Sequence, residues 1–144
     1  MIREQKNQVG MMSSKKVILY VDDDADDREF LLDAINKADP EVKVVMAENG
    51  LEALHYLDRV KDSEQILPSL IVLDINMPYL DGWETFSRLQ KDAALQAVPV
   101  IIFSSSEKPD DKAMFNREGI EFFTKPSDIS HFRSIVTHFV QVCC

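Results

Sequence analysis

The stretch SLIVLDINMPYLDGW, residues 69–83, decides the fold. Its four consecutive apolar residues, Leu70 to Leu73, are typical of a parallel strand that is covered on both faces. The acidic residue Asp74 follows this strand, and Asp81-Gly82 is a strong turn signal. Apolar residues recur at helical spacing from Trp83 onward. The stretch therefore predicts a buried strand, a polar loop that opens with a carboxylate, and an amphipathic helix.

Four other apolar runs occur along the chain, and each indicates a short strand. They span Val17 to Val21, Val42 to Ala47, Val100 to Phe103 and Ile120 to Phe123. The segments between the runs, and the segment after the last, carry apolar residues at spacings of three to five, which predicts helices. The fourth helix, at about residues 109–117, is only weakly amphipathic. The alternation predicts an α/β fold of the (βα)5 type, a doubly wound parallel five-stranded sheet with helices on both faces.

Length and charge restrict the class of protein. The chain has 144 residues and a formal net charge of −9, which fits one domain at residues 15–144 after a flexible tail at residues 1–14. The acidic charge argues against a nucleic-acid partner. No apolar run is long enough to span a membrane, so we expect a cytoplasmic protein without a membrane partner. Cys143 and Cys144 are adjacent at the end, which favours free thiols.

Polar residues follow the strands at the edge where open parallel sheets bind ligands. The strand ends carry Asp22-Asp23-Asp24, Asp74, Ser104 and Lys125. Crowded carboxylates repel one another, and a hard cation such as Mg²⁺ is a usual remedy. A carboxylate can also act as a nucleophile that accepts a phosphoryl group, and the Lys125 ammonium and Ser104 hydroxyl are suitable partners for phosphoryl oxygens. The sequence therefore predicts a Mg²⁺-dependent phosphoryl-transfer site.

Three motifs resemble the response-regulator receiver family. They are LYVDDD at residues 19–24, LDINMPYLDG at residues 73–82, and Lys125-Pro126. The resemblance covers about residues 15–142 and implies a flavodoxin-like sheet with strand order 2-1-3-4-5. It also implies a single-domain response regulator of a two-component phosphorelay. Such a protein is a signalling phosphoacceptor rather than an enzyme, and it receives its phosphoryl group from a histidine kinase or a phosphotransfer protein.

The resemblance gives roles to the acidic residues. Asp74 would be the phosphoacceptor that takes the phosphoryl group from a phosphohistidine. Asp22, Asp23 and Asp74 would bind Mg²⁺ through their carboxylates. The main-chain carbonyl of Asn76 would be a further metal ligand.

Other residues would stabilise the phosphoryl group or respond to it. The resemblance assigns Ser104 and Lys125 to the phosphoryl oxygens. Phe122 occupies the position of the aromatic switch, on the face of the last strand opposite to that of its neighbour. The side chains of Asn76 and Ser106 match two positions that tune how long the phosphoryl group survives.

The turn before the fifth strand departs from the family pattern. From Gly119 to Lys125 the chain is one residue shorter than the usual spacing, and Ile120 follows the glycine where alanine is common. The resemblance otherwise implies a cis peptide between Lys125 and Pro126. It places a downstream protein target, or a second copy in a homodimer, on the face formed by the fourth helix, fifth strand and fifth helix.

Two alternative functions stay open at this point. A phosphatase of the haloacid dehalogenase type would use Asp22 as nucleophile and Asp24 as general acid, with Ser104 and Lys125 nearby. A receiver that binds a partner without being phosphorylated is the second alternative. We assign to Asp24, Asp26 or Asp27 the role of capping the first helix, because its N-terminus favours negative charge.

Overall fold

The computed structural model describes residues 3–5, 16–63 and 66–143. Within these residues the chain forms six strands and five helices. The strands are β1 (Arg3–Gln5), β2 (Lys16–Val21), β3 (Val42–Ala47), β4 (Leu70–Leu73), β5 (Val100–Ser104) and β6 (Glu121–Thr124). The helices are α1 (Ala25–Ala38), α2 (Gly50–Lys61), α3 (Gly82–Gln90), α4 (Pro109–Arg117) and α5 (Ile129–Cys143).

The strands form one sheet in the order β1-β3-β2-β4-β5-β6. Strands β2 to β6 are parallel to their neighbours, and counted by themselves they have the order 2-1-3-4-5. This confirms the predicted doubly wound α/β fold. The short strand β1 adds to the edge of the sheet, antiparallel to β3.

The sequence did not predict β1, which falls within residues 1–14. Its three residues, Arg3–Gln5, are all polar, so no apolar alternation indicates a strand. It forms because the edge of β3 offers unpaired main-chain groups. The rest of the tail, residues 1–2 and 6–14, lies outside the described residues, as does Cys144.

Apolar side chains fill both faces of the sheet. Helices α1 and α5 cover one face, where Tyr20, Phe103 and Phe139 are buried. Helices α2, α3 and α4 cover the other, over a cluster that includes Phe115 and Phe122. Full burial of one such side chain contributes about 1.5–3 kcal/mol, so the two cores hold the strand ends in fixed positions. No helix within the described ranges is long and apolar enough to cross a membrane.

The shortened turn before β6 is closed by the end of α4. Gly119 has a φ of 76°, which favours glycine. Its N–H donates to the Asn116 carbonyl at 3.0 Å, and the Ile120 N–H donates to the Phe115 carbonyl at 3.0 Å. These two bonds form a Schellman motif, in which the residue after the glycine packs back on the helix. Ile120 packs on the core accordingly, so the chain enters β6 one residue later than predicted.

Candidate functional site

The acidic residues at the ends of β2 and β4 come together. Parallel pairing sets Val21 beside Leu73, so Asp22 and Asp74 leave the sheet side by side. One carboxylate oxygen from each of Asp22, Asp23 and Asp74 lies within 4.8 Å of the other two. Asp22 and Asp74 are buried, whereas Asp23 is exposed. The structure therefore brings together the three carboxylates that were predicted to converge.

The buried carboxylate of Asp22 accepts hydrogen bonds on both oxygens. The Tyr20 hydroxyl donates to Oδ2 at 2.6 Å, and the main-chain N–H of Asp24 donates to Oδ1 at 2.9 Å. Burial raises the pKa of Asp22 above its ordinary value, because the charge and hydrogen bond of Lys125 and the other donors offset only part of the desolvation. Burial and the charge of Asp22 also raise the pKa of Tyr20 well above its usual value. The Tyr20 hydroxyl therefore stays protonated and keeps its role as donor.

Lys125 reaches the carboxylates from the end of the edge strand β6. It directly follows β6, and its N–H donates to the Ser104 carbonyl at 2.8 Å. Its Nζ lies 2.6 Å from Asp22 Oδ2, 2.8 Å from Asp27 Oδ2 and 3.3 Å from Asp74 Oδ2. Burial by itself lowers the pKa of Lys125, but the charges of Asp22 and Asp74 and the hydrogen bonds outweigh it and raise the pKa. Lys125 is therefore a cation at neutral pH.

The contact between Lys125 and Asp27 was not predicted. Among the acidic residues at the start of α1, Asp24 is the N-cap, and its Oδ1 accepts from the N–H groups of Asp26 and Asp27 at 2.9 and 3.1 Å. The Asp27 side chain instead turns back toward the strand ends, where it shares Lys125 with Asp22. A carboxylate in the first turn of a helix that follows a strand could have suggested this contact, but a capping role explains it equally well.

A second residue of α1 that the sequence did not single out supports the site. Arg28 is buried, and its Nη1 donates to the main-chain carbonyl of Asp22 at 2.7 Å. Its Nη2 lies 3.6 Å from Glu48 Oε1, just beyond β3. Arg28 thus ties the end of β2 to the end of β3. This bond fixes the main chain from which Asp22 and Asp23 project.

The loop after β4 is held closed by Gly82. The Gly82 N–H donates to the Ile75 carbonyl at 2.8 Å. A Cβ added to Gly82 would lie 2.5 Å from the Asp74 carbonyl oxygen and 2.6 Å from Ile75 Cα, so only glycine fits here. Asp81 caps α3 by accepting the Glu84 N–H at 3.0 Å, in agreement with its assignment to the turn rather than to the site. The loop also contains Tyr79, an 87% exposed residue with a φ of 67°.

The remaining predicted residues lie around this cluster. Asn76 is exposed, and its N–H lies 3.4 Å from Asp74 Oδ1. Ser104 is fully buried at the end of β5, and Ser106 N–H donates to its Oγ at 3.3 Å. Phe122 is buried among the side chains beneath α4, on the face of β6 opposite to Phe123. The ligand, switch and lifetime roles of these residues stay predictions.

Two local features differ from expectation. The described residues contain no cis peptide bond, so the Lys125-Pro126 bond is trans, contrary to the family tendency. The Ser106 hydroxyl donates to Asp111 Oδ2 at 2.7 Å, in the first turn of α4. Its hydrogen bond is therefore directed at α4 and not at Asp74. The sequence had not indicated Asp111 as a contact of this site.

Fold and site together define a doubly wound α/β protein with carboxylates and a lysine at the carboxyl ends of its parallel strands. The family described as response regulator receiver domain matches residues 18–137. The chain belongs to this family, as its motifs predicted, and it is therefore a receiver domain of the kind used in two-component signalling.

The matched region makes up different shares of individual relatives. The protein PilH of Pseudomonas aeruginosa is 35% identical over 112 residues, which cover 77% of this chain and 86% of PilH. A protein-glutamate methylesterase/protein-glutamine glutaminase of Syntrophomonas wolfei is 39% identical over 117 residues, 78% of this chain but 30% of that protein. The chain spans 30% to 66% of the length of three curated relatives, including this methylesterase.

A solved structure is similar over nearly the whole chain. The phosphorylated cyanobacterial phytochrome response regulator RcpA superposes with a TM-score of 0.79 at 27% identity. The match covers 89% of this chain and 93% of RcpA.

Proposed function

We propose that this protein is a single-domain response regulator that accepts a phosphoryl group on Asp74 in a Mg²⁺-dependent reaction. The donor is the phosphohistidine of a histidine kinase or of a phosphotransfer protein. One observation carries the proposal: the carboxylates of Asp22, Asp23 and Asp74 lie within 4.8 Å of one another, and Lys125 Nζ lies 3.3 Å from Asp74 Oδ2. The phosphorylated state of the similar protein RcpA supports it.

The donor set fits Mg²⁺. Three carboxylates lie together, and a fourth carboxylate, that of Asp27, contacts the Lys125 ammonium. A surplus of negative charge and a set of oxygen donors suit a hard cation. Asp22, Asp23 and Asp74, with the main-chain carbonyl of Asn76, would hold the ion. When bound, Mg²⁺ reduces the repulsion between these carboxylates and an incoming phosphoryl group.

The protein's own residues position the transfer. A carboxylate oxygen of Asp74 attacks phosphorus while the P–N bond of the phosphohistidine breaks, and the imidazole of the donor leaves with the bonding electrons. The Lys125 ammonium, already beside Asp74, binds a phosphoryl oxygen, and the Ser104 hydroxyl binds another. The side chains of Asn76 and Ser106 then set how long the acyl phosphate survives.

We propose that the signal leaves through the face formed by α4, β6 and α5. Phe122 is the aromatic residue that responds there, beneath α4. The target is a downstream protein or a second copy of this chain, and we propose neither a nucleic-acid nor a membrane partner. On this proposal the protein is a signalling phosphoacceptor and not an enzyme; its cytoplasmic location stays a prediction from the sequence.

The phosphatase alternative has less support. It requires Asp24 as a free general acid, but the Asp24 carboxylate caps α1 by accepting two main-chain N–H groups. It also requires Asp22 as nucleophile, but both oxygens of that carboxylate already accept hydrogen bonds, Oδ1 from the Asp24 N–H and Oδ2 from Tyr20 and Lys125. The family match favours Asp74 as the reactive residue.

Intact-mass spectrometry tests the proposal. The protein is incubated with acetyl phosphate and Mg²⁺, in parallel with Asp74→Asn, with a Mg²⁺-free sample and with the exposed control Asp26→Asn. We expect one phosphoryl group on the wild type and on Asp26→Asn, and none on the other two. Continuous turnover of a phosphomonoester that survives Asp74→Asn would support the phosphatase instead, and absence of any addition would favour a binding-only receiver.

A further inference from the structure

Helix α4 is held to the rest of the described structure by few side chains. Phe115 is its one buried residue. Its N-cap residue, Lys108, makes no side-chain capping hydrogen bond. A helix with one apolar anchor and no cap is free to shift unless another contact restrains its first turn.

The apolar anchor is an aromatic stack. The Phe115 ring lies 3.8 Å from the Trp83 ring at an interplanar angle of 13°. The rings of Phe86 and Phe122 lie 5.6 and 6.2 Å from that of Phe115. Because aromatic rings prefer an offset stack to a face-to-face one, a small lateral shift of α4 costs this stack little. Trp83 is also the only tryptophan of the chain, so its fluorescence reports the position of α4.

The polar anchor leads from α4 directly to the candidate site. Ser106 Oγ donates to Asp111 Oδ2 at 2.7 Å, and the same Oγ accepts the Lys108 N–H at 3.3 Å. The Ser106 N–H donates to Ser104 Oγ at 3.3 Å. A continuous chain of hydrogen bonds therefore runs from the buried hydroxyl of Ser104 to the carboxylate of Asp111.

We propose that Asp111 is a positioning residue that transmits the state of the Asp74 site to α4 through Ser106. The inference rests on the proposed function, in which the Ser104 hydroxyl binds a phosphoryl oxygen. That bond pulls on Ser104 Oγ and displaces Ser106, which is bonded to it. Because the bond from Ser106 to Asp111 has an ionised acceptor, it is the strong link of the chain and moves the first turn of α4.

Asp110 separates this role from ordinary helix stabilisation. It lies in the same first turn as Asp111 and has the same favourable charge at the helix N-terminus. Asp110 is exposed, whereas Asp111 is half-buried against Ser106. Replacing either residue with alanine removes one negative charge from this turn. Replacing Asp111 alone also removes the acceptor of the Ser106 hydroxyl.

The experiment records Trp83 fluorescence and intact mass together, during phosphorylation by acetyl phosphate with Mg²⁺. The samples are the wild type, Asp110→Ala, Asp111→Ala and Asp111→Asn. A hydrogen bond to an ionised acceptor biases an equilibrium by about tenfold, so the fluorescence response of phosphorylated Asp111→Ala should be smaller than that of the wild type by at least about threefold. Asp110→Ala should respond like the wild type, and Asp111→Asn, which keeps an acceptor oxygen, should recover part of the response.

The outcomes separate the two proposals. Absence of a phosphoryl group on the wild type overturns the proposed function and, with it, the role of Asp111. Phosphorylation of every variant with an equal fluorescence response in Asp111→Ala, or with no response in the wild type, overturns the role of Asp111 alone. As a second measurement, Ser106→Ala should reduce the response, and adding Asp111→Ala to it should cause no further loss. Additive losses would contradict transmission through Ser106.

Discussion

Replacement of Lys125 by methionine tests how the ammonium holds the acidic site together. Its side chain is 13% exposed, and it contacts the carboxylates of Asp22 and Asp74, which are 0% and 6% exposed. Removing one partner of a buried ion pair destabilises a protein by about 3–5 kcal/mol, because the other charge stays buried. The third partner, Asp27, is 36% exposed, so solvent relieves part of the loss. We expect Lys125→Met to lower the free energy of unfolding by roughly 3 kcal/mol without Mg²⁺.

The free energy of unfolding is measured by urea unfolding with a chelator present, and Lys61→Met serves as the control variant. Lys61 also pairs with a carboxylate, that of Asp92, but these side chains are 29% and 25% exposed, so solvent screens this pair more than the pairs of Lys125 with Asp22 and Asp74. Mg²⁺ should restore part of the stability of Lys125→Met, since a cation that binds only the folded state stabilises it. Equal losses for the two variants would refute the reasoning about the buried ion network.

The loss in free energy of unfolding that Lys125→Met causes should also depend on pH. The pKa of Asp22 is raised in the folded protein, mainly by burial, so Asp22 contributes stability below the ordinary carboxyl pKa and loses it as the pH rises through the raised folded value. Without Lys125 this pKa rises further, because the favourable charge is gone. The difference between Lys125→Met and wild type should therefore shrink as the pH falls through this range. A difference that grows on acidification would contradict this account.

Three other predictions concern the loops that shape the site. Tyr79→Gly should stabilise the protein by about 0.5–1 kcal/mol, because the left-handed φ of 67° strains tyrosine and not glycine; urea unfolding should show no such gain for Tyr79→Ala. Gly119→Ala should lower the free energy of unfolding by about 1 kcal/mol in the same measurement. The cause is the φ of 76° alone, since an added Cβ meets no atom within 4 Å. Gly82→Ala should slow phosphorylation of Asp74 by acetyl phosphate, followed by intact mass, because its Cβ would force the main chain at Asp74 to move; an unchanged rate would show that the loop adapts.

The strands and the reactive carboxylates could be predicted because their signals are local. An unbroken apolar run such as Leu70–Leu73 fits a strand with helices on both faces, and Asp74 directly follows it. Since parallel strands end at one edge of the sheet, carboxylates that follow two neighbouring strands lie near each other. Tyr20 could have been added by the same logic, because residues two apart on a strand share a face and Tyr20 donates to Asp22.

The partners of the side chains depended on packing between distant segments. Lys125 and Asp27 are 98 residues apart, and they meet only because β6 ends near the point where α1 begins. The hydrogen-bond partner of the Ser106 hydroxyl could not be predicted either, because whether it bonds to Asp74 or to Asp111 depends on where α4 packs. The sequence by itself therefore determined the class of fold and the acidic cluster. Only the tertiary structure decided which partner each polar group takes, because those choices depend on distances between elements that no local pattern records.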